Sequence, residues 1–214
     1  MTTVTTPAAT RDIDSYDSLL RFCSYWTQIE EVLRVTPVGA TLLEIGKGTG
    51  VTSWYLENSG LRVMTADHND EKQPTVMADV RQLPFAATSF HTVVAFQILE
   101  HLEFQYFVPC LRELARVAGD SVVVSIPNAT SSIAVSASLP RIGRVRKVWD
   151  LPLVKRKSVL VKPFHHWEIG VEGYPLDRIR RSIESADLEI EKEFRFVENP
   201  YHHFFVLTKV LSGA

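Results

Sequence analysis

Between residues 41 and 126, short apolar runs alternate with stretches whose apolar residues recur at helical spacing. The runs predict strands at Thr41–Ile45, Leu61–Ala66, Thr75–Ala78, Thr92–Phe96 and Ser121–Ile126. The intervening stretches predict helices at Val51–Asn58, closed by Gly60, and at Phe104–Val117, closed by Gly119. Upstream, residues 15–35 carry Leu19, Phe22, Trp26, Ile29 and Val32 at helical spacing, with Pro37 past the end. Strands alternating with helices imply βαβ units, a mostly parallel sheet and helices on both faces.

The C-terminal part has a different pattern. A helix at Pro175–Ser185 precedes "LEIEKEFRFVE" and, after "NPYHH", "FFVLTKV". The first of these runs alternates apolar and charged residues, as near a sheet edge, and the short link makes the two strands antiparallel. The expected architecture is an open α/β sheet of about seven strands, mostly parallel, ending in an antiparallel pair. Residues 1–39 form a tail and helix, 40–127 the sheet core, and 128–165 an insertion. Residues 166–214 complete the same domain.

Composition narrows the class more than the fold. Two cysteines, Cys23 and Cys110, exclude a disulfide framework and a cysteine-based zinc site, and fit a reducing compartment. A net charge of −2 over 214 residues makes no global case for nucleic acid or membrane surfaces. No apolar run reaches the ~20 residues of a membrane span. The threonine-rich start, "MTTVTTPAAT", lacks a basic and then apolar leader pattern and reads as a frayed tail. A cytoplasmic protein is expected.

The chemistry begins at "TLLEIGKGTG". A strand, glycine turn and helix place backbone N–H groups at the carboxyl edge of a parallel sheet, where such folds bind ligands. Gly46, Gly48 and Gly50 alternate, and Val51 stands where a dinucleotide fingerprint needs its last glycine. Glu44 disfavours a pyrophosphate by like-charge repulsion and suits a cationic group. Asp67 ends the second strand about 20 residues beyond the loop, the separation at which a carboxylate reaches ribose hydroxyls. Asp79 ends the third and suits an exocyclic amine. Together these residues describe a nucleoside-like ligand bearing positive charge.

"LLEIGKGTG", "VMTAD" and "ADVRQLPFAATSFHTVVAFQILEHL" resemble the motifs of class I S-adenosylmethionine-dependent methyltransferases. "HHWEIG", "GYPLDRI" and "ENPYHHFFVL" are similar to a bacterial subgroup of them. The resemblance implies a Rossmann-like core in which Gly46, Gly48 and Gly50 pass under the methionine and ribose of S-adenosylmethionine. It implies that Glu44 faces the amino group, directly or through water, and Asp67 the ribose hydroxyls. Asp79 and the Val80 N–H would read the adenine, with Gln97 beside the methionine moiety. His91 stands where the family usually has Asp, at the strand end opposite the site, and only an altered cap is expected there. Lys47 within the loop reads as a solvated lysine.

Methyl transfer by in-line displacement requires positioning and, for an oxygen or amine acceptor, a base. His101 follows strand four at the ligand edge. His166 and Glu168, in "PFHHWEIG", form a His-x-Glu pair beside Trp167 that could supply an oriented base, with His166 ahead of His165; the plainer reading is that Trp167 plugs the core while its polar neighbours cap the next element. His202 and His203 read as structural turn residues. Neighbouring strand residues face opposite ways, so each histidine pair supplies at most one ligand and no metal is expected.

Residues 141–162 hold eight basic side chains and one acid, Asp150. Leaving the sheet after strand five, the segment is expected to form a lid over the substrate site that favours an anionic acceptor. A solvated segment whose basic stems cover apolar surface is the plainer reading. The expected activity is methylation of a small-molecule or sugar- or lipid-linked acceptor. A nucleic-acid or protein methyltransferase docking through the basic segment is one alternative, although aromatic stacking platforms for nucleic acid are lacking apart from Trp149. A catalytically silent cofactor-binding partner subunit is the other.

Overall fold

A computed structural model describes residues 18–141, 143–151 and 164–210. Its central sheet contains β1 (Thr41–Ile45), β2 (Arg62–Asp67), β3 (Val76–Met77), β4 (Phe90–Phe96) and β5 (Ala118–Pro127). Outside it lies a hairpin, β6 (Ser132–Leu139) and β7 (Gly143–Asp150), and the sheet is completed by β8 (Leu188–Arg195) and β9 (His202–Lys209). The strand order is β3-β2-β1-β4-β5-β9-β8. β1 to β5 run parallel, whereas β9 is antiparallel to both β5 and β8. The chain reverses direction of winding between β1 and β4, so the loops after these strands flank a crevice where ligands can enter.

The central strands are apolar without alternation because both of their faces are buried. Leu43, Val93, Val122 and Leu207 pack on one face beneath α3 (Phe107–Val117) and α4 (Leu176–Glu184). Leu42, Val94, Val123 and Val206 pack on the other with residues of α1 (Leu19–Val35) and α2 (Val51–Asn58). Trp167 sits wholly buried against Phe104 and Phe107, its indole N–H donating to the Leu102 carbonyl at 3.1 Å. It therefore plugs the core.

Four local expectations change. Gly119 belongs to β5 instead of ending α3, and α3 begins only after a short 3₁₀ turn at Phe104–Tyr106. His202 and His203 open β9 rather than sitting in a turn, and they face opposite sides of it. α1 exposes much of its apolar face, with Leu19, Phe22 and Trp26 outside, and buries Ser24, Gln28 and Glu31. Polar ties from other elements explain this: Thr52 donates to Gln28 at 3.0 Å, Asn199 to Ser24 at 3.0 Å and Lys192 to Glu31 at 2.6 Å.

The fourth concerns the insertion, most of whose described part is the β6–β7 hairpin; residues 152–163 lie outside the described residues. Arg146 pairs with Glu198 and Asp150 with Arg195, which pins the hairpin to β8 and the loop beyond it. With α1 and β8 it lines a cavity of about 920 Å³, and none of its residues lines the cavity of the candidate site. The hairpin is thus no lid over that site, although His165, at the end of the insertion, does line it. Reversing Arg144, Arg146 and Lys147 to Glu is expected to leave S-adenosylhomocysteine affinity unchanged by calorimetry. The exposed Arg146–Glu198 pair contributes at most about 1 kcal/mol of stability.

Candidate functional site

A cavity of about 600 Å³ opens at the carboxyl ends of β1, β2 and β4, within the ~300–1,000 Å³ range of small-molecule sites. Glu44, Gly46, Gly48, Asp67, Asp79, Val80 and Gln97, all assigned to the cofactor, line it. Gly50 does not line it; with φ +76° it makes the left-handed turn that starts α2.

The glycines have separate causes. A Cβ on Gly46 would lie 2.1 Å from Ile98 Cδ1, so the close approach that excludes a side chain comes from the chain after β4. A Cβ on Gly48 would meet nothing nearer than 3.9 Å, which leaves that stretch of loop open to a ligand. Lys47, expected in solvent, donates to the Gln73 carbonyl at 2.6 Å and so ties the loop to the segment after β2.

Glu44 is 4% exposed, and its Oε2 has no hydrogen-bond partner among the described residues. Burial pushes its carboxyl up to about 8 and outweighs the opposing influence of Ser53 and Lys47. A buried carboxylate with one oxygen left without a donor is well matched to a cationic ligand group. Asp67 is 7% exposed, and its Oδ1 accepts from the Asn69 N–H at 3.0 Å. Asp79 is gripped by Arg81, whose guanidinium donates to Oδ2 at 2.5 Å; that hydrogen bond holds the Asp79 carboxyl below its ordinary value. Any ligand amine must share Asp79 with Arg81. Gln97 adopts a left-handed φ of +57°, a costly conformation for a non-glycine residue, and its amide reaches Ser125 Oγ at 3.2 Å.

The far end of the cavity is lined by Glu100, His101, His165, Tyr201 and His202. The expected His166–Glu168 pair does not form. His166 is exposed and donates its backbone N–H to the Glu100 carbonyl at 2.9 Å. One residue earlier, His165 turns inward, and its Nδ1 lies 2.8 Å from Glu168 Oε1. The Tyr201 hydroxyl donates to the same oxygen at 2.7 Å, and burial raises its pKa first, with Glu168 adding to the effect. His101 stacks edge-on against His165, with ring centroids 4.9 Å apart. His203 faces away, to Glu193 at 2.9 Å and Asn128 at 2.9 Å. Tyr25, Gln28 and Tyr201 also line the cavity and were not singled out, since α1 and the β8–β9 loop meet the glycine loop only in the folded chain.

This crevice, with a glycine loop and acids at successive strand ends, is suited to a cationic nucleoside. The family comparison agrees: residues 43–123 match a methyltransferase-domain family. That match and the fold support an S-adenosylmethionine-dependent methyltransferase with S-adenosylmethionine as its cofactor. Its fold resembles that of magnesium protoporphyrin IX methyltransferase from Synechocystis PCC 6803 with bound S-adenosylhomocysteine. That match has a TM-score of 0.61 at 15% identity over 89% of this chain and 84% of that one. A Mesorhizobium loti S-adenosylmethionine-dependent methyltransferase matches with TM-score 0.59 at 15% identity, over 89% and 100% of the chains. The Burkholderia thailandensis 1,6-didemethyltoxoflavin-N1-methyltransferase matches with TM-score 0.58 at 12% identity, over 93% and 81%. No curated protein matches the sequence. Among the described residues, no helix is long and apolar enough to cross a membrane.

Proposed function

We propose that the chain methylates a small-molecule or sugar- or lipid-linked acceptor seated at the histidine end of the 600 Å³ cavity. One observation carries this reading. A single cavity joins Glu44, Gly48, Asp67 and Asp79 to His101, His165 and Tyr201, so cofactor and acceptor ends are continuous. Methyltransferases of similar fold act on a porphyrin and on a toxoflavin precursor, which supports a small acceptor.

The bound cofactor supplies an activated methyl group. The protein supplies alignment and handles the acceptor's proton. Glu44 meets the amino group, Gly48 leaves room beside the backbone, and Asp67 holds the ribose. His101 and His165 work on the acceptor, with Glu168 fixing the His165 ring so that its proton sits on Nδ1. Glu168 is a positioning residue, since it reaches the cavity through His165 and Tyr201 and does not line it.

Transfer of labelled methyl from S-adenosylmethionine into metabolite extracts tests the reading and identifies the acceptor. His165→Gln and Glu168→Gln are expected to lower kcat about 100-fold while S-adenosylhomocysteine affinity is retained. Unchanged kcat in both would take the histidine end out of the chemistry. Folded, cofactor-binding protein that labels nothing would favour the silent partner subunit.

A further inference from the structure

The histidine end of the cavity holds more than proton removal alone requires. Glu100 and His101 project from the 3₁₀ turn Leu99–His101, just beyond β4, and His165 arrives from the segment after the hairpin. One carboxylate oxygen and one nitrogen from each ring lie within 4.8 Å of one another. Donor atoms on one tetrahedral ion sit roughly 3.4 Å apart, so small side-chain rotations close the difference. The cluster is enclosed on two sides: Glu100 is 0% exposed and the His165 side chain 5%.

Both rings are oriented from behind. His165 Nδ1 is held by Glu168 at 2.8 Å, and Glu168 in turn by the Tyr201 hydroxyl at 2.7 Å. His101 Nδ1 faces the Phe164 carbonyl at 3.3 Å. With Nδ1 carrying the proton in each ring, Nε2 is the nitrogen left with a lone pair to offer. A carboxylate or carbonyl behind a histidine is the arrangement that sets imidazole for a metal. Two imidazoles and one carboxylate form the donor set of catalytic zinc, which keeps a fourth position for a substrate oxygen.

We propose that Glu100, His101 and His165 bind one divalent transition cation, preferentially zinc, at the acceptor end of the cavity. The proposal rests on the reading of that end as the acceptor site. Methyl transfer is redox-neutral, which suits a metal without redox chemistry, and nitrogen donors favour zinc over magnesium. The cation acts as a Lewis acid on an acceptor hydroxyl and lowers its pKa. The hydroxyl proton leaves to solvent, an oxygen lone pair forms the O–CH₃ bond, and the S–CH₃ electron pair stays on sulfur. No metal is expected from either histidine pair by itself; here one histidine of "HHWEIG" meets one from the distant "LEHL".

Chelator-stripped full-length protein is titrated with Zn²⁺ by calorimetry and with Co²⁺ by visible absorption. One equivalent is expected to bind, with a Co²⁺ spectrum of low coordination number. His101→Asn and His165→Asn each weaken binding at least tenfold, and Glu168→Gln weakens it about 10- to 100-fold through the ring. Glu100→Gln does the same; should that buried change unfold the chain, the exposed His101→Asn still decides. His91→Asn, at the other end of β4, leaves binding unchanged. Binding no tighter in the wild type than in the His101→Asn/His165→Asn double variant overturns the proposal. S-adenosylhomocysteine titration of the same samples reports separately: lost cofactor binding with retained zinc binding faults the cofactor site, not the cation site.

Discussion

Replacing Asp67 with alanine is expected to raise the dissociation constant for S-adenosylhomocysteine about 100- to 1,000-fold while the protein stays folded. Asp67 is 7% exposed at the carboxyl end of β2, on the wall of the cavity beside the glycine loop. A charged acceptor contributes about 1.5–3 kcal/mol per hydrogen bond, and a ribose diol offers two donors. Loss of both amounts to roughly 3–6 kcal/mol at most, of which the lower part corresponds to the expected fold-change. Alanine also removes the turn bond from the Asn69 N–H, 3.0 Å from Oδ1, so its Tm should fall slightly. Asp67→Asn separates the effects, since it keeps the turn acceptor but lacks the charge and should give an intermediate loss. Calorimetry showing wild-type affinity for the alanine variant would remove Asp67 from the cofactor site.

Asp67 was readable because its position follows from sheet geometry alone. Parallel strands buried on both faces leave continuous apolar runs, and β1, β2 and β4 therefore mark their own carboxyl ends. Acids at those ends share an edge whatever the rest of the chain does. The glycine loop was readable for the same reason, although the cause of Gly46 was not. Ile98 fills the space where its Cβ would be, and Ile98 is 52 positions later in the chain.

What stayed hidden depended on one-residue choices or on distant charges. "HHWE" offers two histidines whose side chains point in different directions, and pattern alone cannot choose between them. The turn settles it: the His166 N–H is taken by Glu100, which leaves His165 to meet Glu168. The β6–β7 hairpin carries apolar residues on exposed faces, so no buried stripe announces it. Arg195 and Glu198, well separated along the chain from the Asp150 and Arg146 they pair with, hold it in place. α1 misleads in the opposite sense, since its apolar residues look toward the hairpin cavity and its polar ones toward the sheet.

Glu44→Gln is expected to weaken S-adenosylmethionine binding by about 3–5 kcal/mol, the effect of removing one partner from a buried ion pair. Unlike Asp67, Glu44 also makes a prediction about protons. Its folded pKa, raised by burial to about 8, lies above the ordinary 4.5, so at pH 7 the empty protein holds a proton there. A cationic amino group in contact draws that pKa down, so binding at pH 7 releases a proton. Affinity should therefore rise with pH toward 8, then fall as the ligand's own amino group, with a pKa near 8, loses its charge. Calorimetry in two buffers of different ionisation enthalpy measures the release, which Glu44→Gln should abolish. Stability carries the opposite signature. Between pH 4.5 and 8 the folded protein binds more protons at this site than the unfolded chain, so its stability falls as pH rises. The variant should accordingly gain stability over the wild type across that interval, reaching about 3–5 kcal/mol and levelling off above pH 8. Proton release at pH 7 that persisted in the glutamine variant would place the cofactor's amino group elsewhere. Tighter folding joined to weaker binding in one substitution would show that the buried carboxylate is retained for the ligand, at the expense of the empty protein.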